Sequence, residues 1–438
     1  MLETLTSIDG HDKCEGCDNP DINYLSQLNQ PNKEELQKQY TVIKAQYDQF
    51  KNRGLKLDMS RGRPSPDQVD LAMGMIDILN STDYLSEDGS DCRNYGGLDG
   101  IPEMKRLFAE LMDVNPCEVL VGGNSSLSLM YKAVSAFSIA EGRKRKFLCP
   151  VPGYDRHFSI CEYLDIQMIP IPMTPCGPNM VEVQKYMSDP DVVGIWCVPV
   201  FSNPQGIVYS DEVIKQMAAL KPAAADFRIF WDNAYLVHAF EGDPPEIINI
   251  LRECEKNNNY DMPLIFTSFS KISFAGSAVS ALAASPDNLA KFRAYLSIQT
   301  VGPDKLNQLR HVRYFKNRNG VLSHMKKHKE ILHPKFNLVF KELYSKLEKK
   351  GLATWFEPKG GYFLSVDTMP GCAKRTVTLC AEAGLAITPA GAPYPYGQDQ
   401  LDSNIRLAPS SPTIEQLKQA MELFCIAVEL ATLEKLLN

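Results

Sequence analysis

The stretch that decides the fold is residues 263–276, which read Pro-Leu-Ile-Phe-Thr-Ser-Phe-Ser-Lys-Ile-Ser-Phe-Ala-Gly. Its apolar first half predicts a buried β-strand, Leu264 to Phe269, that runs into Ser270 and Lys271. Burial lowers the pKa of a lysine because an ammonium group is costly to desolvate, and such a lysine is a nucleophile that forms Schiff bases. With the hydroxyls of Ser268 and Ser270 beside it, Lys271 is a candidate to hold an aldehyde cofactor that carries a phosphate. The alternative is an ordinary solvated lysine at the edge of a sheet.

The composition is typical of a globular protein without a membrane or nucleic-acid surface. The 438 residues are 44% hydrophobic and 23% charged, with a net charge of −7. The acidic balance argues against binding to nucleic acid or to an anionic membrane. No apolar run approaches the ~18 residues of a membrane span, and the N-terminus lacks the basic and apolar regions of a secretory signal. We therefore expect a cytoplasmic protein.

The 12 cysteines are scattered, and many lie in apolar contexts that suggest small core residues in a reducing compartment. Cys14 and Cys17 are the one tight pair. A metal site needs a second pair at suitable spacing, and none follows, so no metal is expected.

The order of apolar runs predicts a parallel or mostly parallel sheet with helices on both faces. Runs at residues 118–121, 146–150, 167–172, 193–199, 228–235 and 264–269 alternate with helical patterns. In such sheets ligands bind beyond the carboxyl ends of the strands. Asn203, Asp232, Tyr235 and Lys271 all fall at such ends, so they are candidates for one shared site.

Both ends of the chain depart from this alternation. Residues 33–52 have the spacing of an amphipathic helix. After about residue 315 the pattern predicts a smaller α+β domain, with helical segments at 316–329 and 336–349, a hairpin or strand at 355–366, a short strand at 404–410 and a final helix at 414–437.

The candidate residues match the chemical needs of pyridoxal phosphate. Lys271 supplies the amine for its aldehyde, and Asp232 keeps the pyridine nitrogen protonated so that the ring acts as an electron sink. Asn203 and Tyr235 supply hydrogen bonds to the ring oxygen O3′. Tyr154 supplies an aromatic ring to stack on the pyridine.

The phosphate of that cofactor needs hydroxyl groups and helix N-terminal amides. Ser268 and Ser270 supply hydroxyls. A Gly-Gly-Asn-Ser-Ser turn precedes a predicted helix and presents free N–H groups and a favourable dipole to an anion; its candidate residues are Gly123, Asn124, Ser125 and Ser126.

Four motifs together resemble the ordered motif set of the fold-type I, class I aminotransferases, over about residues 57–430: Asn203-Pro-Gln-Gly, Asp232-Asn-Ala-Tyr235, Ser268-Phe-Ser-Lys271 and Asn404-Ile-Arg406. Further stretches resemble a divergent aspartate aminotransferase subgroup related to MocR-type sequences: Leu57-Asp-Met-Ser-Arg-Gly-Arg-Pro-Ser, Pro152-Gly-Tyr-Asp-Arg-His-Phe, Lys271-Ile-Ser-Phe-Ala-Gly and Gly302-Pro-Asp-Lys-Leu-Asn-Gln-Leu-Arg-His311. The resemblance implies an α/β fold of type I, in which a large domain carries a mostly parallel seven-stranded sheet between helices and a smaller domain is α+β. The implied bounds are 1–60 for an N-terminal arm and a helix joining the small domain, 61–315 for the large cofactor-binding domain and 316–438 for the small domain.

The resemblance also implies roles for residues at the substrate. Arg406 binds the α-carboxylate through a bidentate pair that a lysine could not copy. Gly62 lies against the substrate, and Asn203 contacts it as well as the cofactor. Tyr95 reaches the cofactor phosphate of a neighbouring subunit, which implies a homodimer with shared active sites.

One departure from the family pattern concerns the phosphate. The family usually places an arginine about eight residues after the lysine, but Val279 holds that position and residues 272–284 contain no basic residue. Ser277 is then a further hydroxyl candidate, and Lys305 or Arg313 is expected to contribute the positive charge.

The implied activity is transamination by a ping-pong Schiff-base mechanism in which Lys271 is also the general base. L-Aspartate and 2-oxoglutarate are the expected pair, and a second cation, Arg61, Arg63 or Arg156, would meet the side-chain carboxylate. The alternatives are transamination of another amino acid, or a C–S lyase or decarboxylase on the same scaffold. A regulator with a transaminase-like domain would need a basic DNA-binding domain, for which residues 1–56 are too short and too acidic. A catalytically silent binding protein is disfavoured by the intact Lys271 and Asp232.

Overall fold

The computed structural model describes residues 32–138 and 144–438. Most of the predicted N-terminal arm, including Cys14 and Cys17, lies outside the described residues. The strands, in chain order, are β1 (Leu57–Met59), β2 (Val119–Val121), β3 (Lys146–Val151), β4 (Gln167–Thr174), β5 (Gly177–Pro178), β6 (Val192–Cys197), β7 (Arg228–Asp232), β8 (Pro263–Ser268), β9 (Ser280–Ala283), β10 (Ala353–Trp355), β11 (Leu364–Thr368), β12 (Leu385–Ile387) and β13 (Asn404–Leu407). The α-helices are α1 (Lys33–Lys51), α2 (Pro66–Asp70), α3 (Pro102–Met112), α4 (Ser126–Phe137), α5 (Asp155–Tyr163), α6 (Met180–Gln184), α7 (Asp211–Ala218), α8 (Ile250–Lys256), α9 (Pro286–Leu296), α10 (Lys305–Phe315), α11 (Arg318–Lys346), α12 (Ala373–Glu382) and α13 (Ile414–Leu437).

Eight strands form one large sheet in the order β2-β9-β8-β7-β6-β3-β4-β5. Strands β3, β4, β6, β7 and β8 pair in parallel, whereas β9 runs antiparallel to both of its neighbours. The mostly parallel sheet predicted from the sequence is therefore confirmed. Seven strands were expected; the eighth is the two-residue edge strand β5, which pairs antiparallel with β4 and is too short to leave a pattern in the sequence.

The parallel strands bring the candidate residues to one edge of this sheet. Strands β6 and β8 are buried along their whole length, as expected for strands with helices on both faces. Strand β7 ends at Asp232, and β8 ends at Ser268, three residues before Lys271. This is the edge at which ligands bind in open α/β sheets.

A smaller α+β unit contains elements from both ends of the described chain. Strands β10, β11 and β13 form an antiparallel sheet, and β1 pairs in parallel with β12. Helix α1 packs against α13 and buries Ile43, Tyr47 and Phe50 there. The bounds 1–60, 61–315 and 316–438 stay a prediction.

Helix α11 connects the two hydrophobic cores. The segments that the sequence presents at 316–329 and 336–349 join into one helix of 29 residues, with Pro334 inside it. Val321 and Met325 belong to the core around the large sheet, whereas Leu332 and Phe336 belong to the core of the smaller unit. Burial in both cores offsets the cost of a proline inside a helix.

Candidate active site

Lys271 follows strand β8, and its Nζ atom lies 4.9 Å from the centre of the Tyr235 ring. Burial lowers the pKa of Lys271, and the nearby Asp232 carboxylate partly opposes that shift. The Tyr362 hydroxyl donates to the main-chain oxygen of Lys271 at 3.2 Å. The result is an amine of increased nucleophilicity on an anchored piece of backbone.

Asp232 ends strand β7 with one carboxylate oxygen bonded and the other without a partner. The side chain is buried, and Oδ2 lies 3.1 Å from Nε2 of His157. The imidazole of His157 stacks on Trp196, with ring centres 4.2 Å apart and planes inclined by 7°. Oδ1 of Asp232 is buried and has no hydrogen-bond partner among the described residues. A buried carboxylate oxygen of this kind calls for a donor, which is the property required of a partner for a protonated ring nitrogen.

His157 was not singled out from the sequence. It lies three residues after Tyr154 at the start of α5, and the two rings meet edge to face with centres 4.9 Å apart. A spacing of three residues places two side chains on one helix face, so the motif Tyr154-x-x-His157 contained the signal. The sequence does not show that this helix face points at Asp232.

Tyr154, Tyr235 and Asn203 surround the same place. Burial raises the pKa of both tyrosine hydroxyls, so both remain protonated at neutral pH. The charges of Asp232 and Arg406 both act on Tyr235. The three predicted residues are thus gathered between Lys271 and Arg406.

Arg406 on strand β13 is buried and already holds a carboxylate. Its Nη1 donates to Oδ1 of Asp155 at 2.7 Å and to Oδ1 of Asn203 at 3.3 Å, and its Nε donates to Oγ1 of Thr388 at 3.2 Å. Its guanidinium also lies over the Phe363 ring, 4.9 Å from the ring centre. The partner Asp155 was missed from the sequence because 251 residues separate it from Arg406.

The turn Gly123–Ser126 and the serines around Lys271 meet, as the phosphate prediction requires. The hydroxyl of Ser268 donates to Oγ of Ser270 at 3.0 Å, and the hydroxyl of Ser270 donates to the main-chain oxygen of Asn124 at 3.2 Å. Ser125 is the N-cap residue of α4, and its side chain accepts no capping hydrogen bond. The first-turn amides of α4 therefore adjoin the serines without a side-chain cap.

The two cations expected to meet the phosphate charge bind other groups in this structure, so their contacts give that expectation no support. Nζ of Lys305 donates to the main-chain oxygens of Asn94 and Gly96, at 2.7 and 2.6 Å. Arg313 pairs with Asp83 at 3.1 Å. Their side chains leave α10 in directions that are set by the packing of that helix.

Gly62 borders the pocket of Arg406 through Phe363. A Cβ atom at Gly62 would lie 2.4 Å from the Phe363 ring, so a larger residue does not fit without a shift. Arg61 and Arg156 are exposed, and neither guanidinium has an ion-pair partner among the described residues. Arg63, the third arginine considered for a side-chain carboxylate, instead donates to Oγ of Ser411 at 3.2 Å.

A buried histidine pair behind Lys271 was also missed. Nε2 of His324 and Nε2 of His328 lie 2.9 and 3.2 Å from the main-chain oxygen of Ile272. Gln68 contacts Nδ1 of His328 at 2.9 Å and donates to the Tyr362 hydroxyl at 2.9 Å. The network supports the segment that carries the amine. The sequence of this part of α11 is polar and rich in lysine and histidine, so it does not indicate that these two histidines are buried.

Comparison with known proteins decides the family. A family model described as aspartate amino-transferase matches residues 32–438. This chain belongs to the aspartate aminotransferase family. An aspartate aminotransferase of Corynebacterium glutamicum is 43% identical over 90% of this chain and 94% of its own length.

Solved structures agree with this membership. The crystal structure of an aspartate transaminase from Corynebacterium glutamicum superposes with a TM-score of 0.90 at 42% identity, covering 93% of this chain and 98% of that one. An α-aminoadipate aminotransferase of Thermus thermophilus, solved with a phosphopyridoxyl-leucine compound, has a TM-score of 0.71 at 19% identity, over 89% of this chain and 95% of its own. The second likeness shows the shared fold.

As a member of the aspartate aminotransferase family, the chain is an aminotransferase that depends on pyridoxal phosphate. The residues present fit that cofactor: Oδ1 of Asp232 is a buried acceptor without a donor, and Lys271 is a desolvated amine. Within residues 32–138 and 144–438, no group of histidine, cysteine and acidic residues could hold a metal ion. In the same ranges no helix has the length and apolar character of a membrane span.

Proposed function

We propose that the chain transfers the amino group of L-aspartate to 2-oxoglutarate in two half-reactions at one site. The observation that carries the proposal is the buried Arg406, whose guanidinium binds the carboxylate of Asp155 at 2.7 Å. A pocket that already accepts one carboxylate is suited to the α-carboxylate of an amino acid or an oxo acid. The choice of aspartate is supported by the name of the 43% identical relative.

Each half-reaction uses the side chains in defined roles. When bound, pyridoxal phosphate supplies the electron sink that stabilises negative charge at the substrate Cα. Arg406 would bind the α-carboxylate, and Asp232 would accept a hydrogen bond from the protonated ring nitrogen. The neutral amine of Lys271 removes the proton at Cα, a step that its lowered pKa favours at neutral pH. Tyr235 and Asn203 would donate to the ring oxygen, and Tyr154 would lie against the ring and help to fix its orientation.

A dicarboxylate substrate needs a second cation, and Arg61 or Arg156 is proposed for that role. Both are exposed and without an ion-pair partner among the described residues. The variants Arg61→Ala and Arg156→Ala separate the two candidates. Loss of the responsible arginine should raise KM for aspartate and leave KM for alanine unchanged.

We also propose a cytoplasmic homodimer with shared active sites. Tyr95, the residue expected to reach the neighbouring subunit, has 85% of its surface exposed in the single chain, so its side chain is available to a partner. The described cysteines are free and mostly buried, as is usual in a reducing compartment. Sedimentation of Tyr95→Ala, compared with the unchanged chain, tests whether Tyr95 is needed for dimer formation or only for cofactor binding.

The function is tested by following oxo-acid formation from aspartate with and without 2-oxoglutarate. The proposal requires turnover only when both are present, and a kcat/KM for aspartate well above that for alanine. Equal rates with the two amino acids would contradict the dicarboxylate specificity. Full turnover by Lys271→Ala would contradict the role of the lysine.

A further inference from the structure

The cofactor phosphate requires positive charge that the usual position does not supply. Val279, eight residues after Lys271, is buried, and residues 272–284 contain neither lysine nor arginine. Lys305 and Arg313 are engaged with other groups. Hydroxyls and amides alone leave a partly buried dianion without a counter-charge, which is costly.

Arg310, on the neighbouring helix α10, contacts the segment that follows Lys271. Its Nη2 donates to Oγ of Ser277 and to Oδ1 of Asn307. Asn307 in turn donates through Nδ2 to the main-chain oxygens of Ser277 and Ala278, at 3.0 and 2.9 Å. These contacts fasten α10 to the short 3-10 turn Ala275–Ser277 that follows Lys271.

The same 3-10 turn also contacts the turn before α4, whose amides belong to the predicted phosphate site. Nδ2 of Asn124, from the turn before α4, donates to the main-chain oxygen of Gly276 at 3.3 Å. The hydroxyl of Ser270 donates to the main-chain oxygen of Asn124. Arg310 therefore binds Ser277, the residue that follows Gly276, so it contacts the same 3-10 turn as Asn124 of the turn before α4.

Arg310 has spare capacity to bind an anion. No carboxylate among the described residues forms an ion pair with it, and both of its Nη2 contacts are neutral oxygens. Its Nε is buried without a partner among the described residues. A guanidinium offers five N–H donors in a fork that matches phosphate oxygens.

We propose that Arg310 is the cationic phosphate anchor of this chain, supplied by helix α10 in place of the arginine that the family usually carries after its lysine. Ser277 and Asn307 are positioning residues that hold its guanidinium toward the phosphate. The proposal concerns how this chain binds pyridoxal phosphate, and it does not depend on which amino acid is the substrate.

The test compares the affinity for pyridoxal phosphate with the affinity for pyridoxal, which lacks the phosphate. The full-length chain is freed of cofactor, and recovery of the wild-type absorption band on refilling is checked first. Arg310→Met should weaken binding of pyridoxal phosphate by about 10- to 100-fold, the effect of losing charge-assisted hydrogen bonds. It should leave the affinity for pyridoxal unchanged.

Arg313→Met is the matched control, because Arg313 lies three residues further along the same helix and pairs with Asp83. It should leave the ratio of the two affinities unchanged. If Arg310→Met fails to fold, as judged by circular dichroism, Arg310→Lys replaces it; a selective loss of pyridoxal phosphate affinity is again expected, since lysine lacks the planar fork.

Three results would overturn the proposal. An equal loss for both ligands would mean that Arg310 only supports the fold. An unchanged affinity for pyridoxal phosphate in Arg310→Met would place the anchor elsewhere, such as on a partner subunit. A selective loss in Arg313→Met alone would assign the charge to that residue.

Discussion

The guanidinium of Arg406 is bound to the carboxylate of Asp155, with Nη1 and Oδ1 2.7 Å apart. Asp155 therefore occupies a donor of the guanidinium proposed to bind the substrate α-carboxylate. The pair is asymmetric, because the Arg406 side chain is buried whereas that of Asp155 is about one-third exposed. If Arg406 has the role proposed for it, substrate binding exchanges the Asp155 carboxylate for that of the substrate at the same guanidinium.

Asp155→Asn should lower the inhibition constant of succinate, a dicarboxylate that competes with substrate, by about 2- to 5-fold, the worth of a partly exposed ion pair. The reason is that the amide competes less well for Nη1 of Arg406. Asp211→Asn is the control, since Asp211 also opens a helix, α7. A rise in the inhibition constant for Asp155→Asn would show that Asp155 aids binding.

Arg406→Lys should lower kcat/KM for aspartate by about 10- to 100-fold, because lysine loses the bidentate, charge-assisted geometry. The affinity for pyridoxal phosphate should stay the same. Steady-state kinetics and cofactor titration measure the two effects. Arg375→Lys, at a surface pair with Glu434, should change neither; unchanged kinetics in Arg406→Lys would remove Arg406 from the site.

Asp232→Asn should lower kcat by about 100-fold or more, because the site loses the negative charge that stabilises a protonated ring nitrogen. Asparagine has nearly the same shape as aspartate and can keep the contact with His157, so cofactor binding should be affected less than turnover. Glu118→Gln is the control, a buried acid paired with Arg252 away from the site. It should lower the thermal midpoint and leave kcat unchanged, and a similar loss of kcat there would argue for a general effect of buried charge.

Stability should fall as the pH drops below about 6.5, the ordinary pKa of histidine. Burial lowers the pKa of His238 to about 3 and that of His328 to about 3. Between these values the unfolded chain binds protons that the folded chain refuses, so the free energy of unfolding rises with pH in this window and the stabilisation is complete above it. For one such histidine the loss from pH 7 to pH 5 reaches about 2 kcal/mol.

Denaturant unfolding at several pH values checks this expectation. His238 is the residue to replace, because both of its ring nitrogens are buried without a hydrogen-bond partner among the described residues. His238→Phe keeps an aromatic ring against Tyr235 and Tyr362 and should flatten the dependence between pH 5 and 7. An identical slope in the variant would mean that His238 does not titrate on unfolding.

The sequence was sufficient for those parts of the site that follow buried strands. Asp232 and Lys271 come directly after apolar runs, and parallel pairing of β7 with β8 brings their strand ends to one edge of the sheet. The large sheet and the family were predictable for the same reason: local patterns and short ordered motifs carry them.

The residues that escaped prediction are placed by packing between distant segments. Arg310 contacts Ser277 across 33 positions, and Asp155 contacts Arg406 across 251. No local period distinguishes Arg310 from Arg313 on the same helix, although one faces Ser277 and the other faces Asp83. The direction in which a helix face points is set by the elements packed around it, and local patterns in a single sequence do not predict that direction.

Helices α1 and α13 pack against each other from opposite ends of the described chain, so this contact can form only late in synthesis. Helix α1 is the first described element to leave the ribosome, and its partner α13 is the last. The apolar face of α1 therefore lacks this packing partner while the strands of the large sheet are synthesised. A nascent chain stopped before β13 already contains Lys271 and Asp232, but it lacks both Arg406 and α13. The residue proposed to bind the substrate α-carboxylate is therefore the last of the candidate site residues to be synthesised.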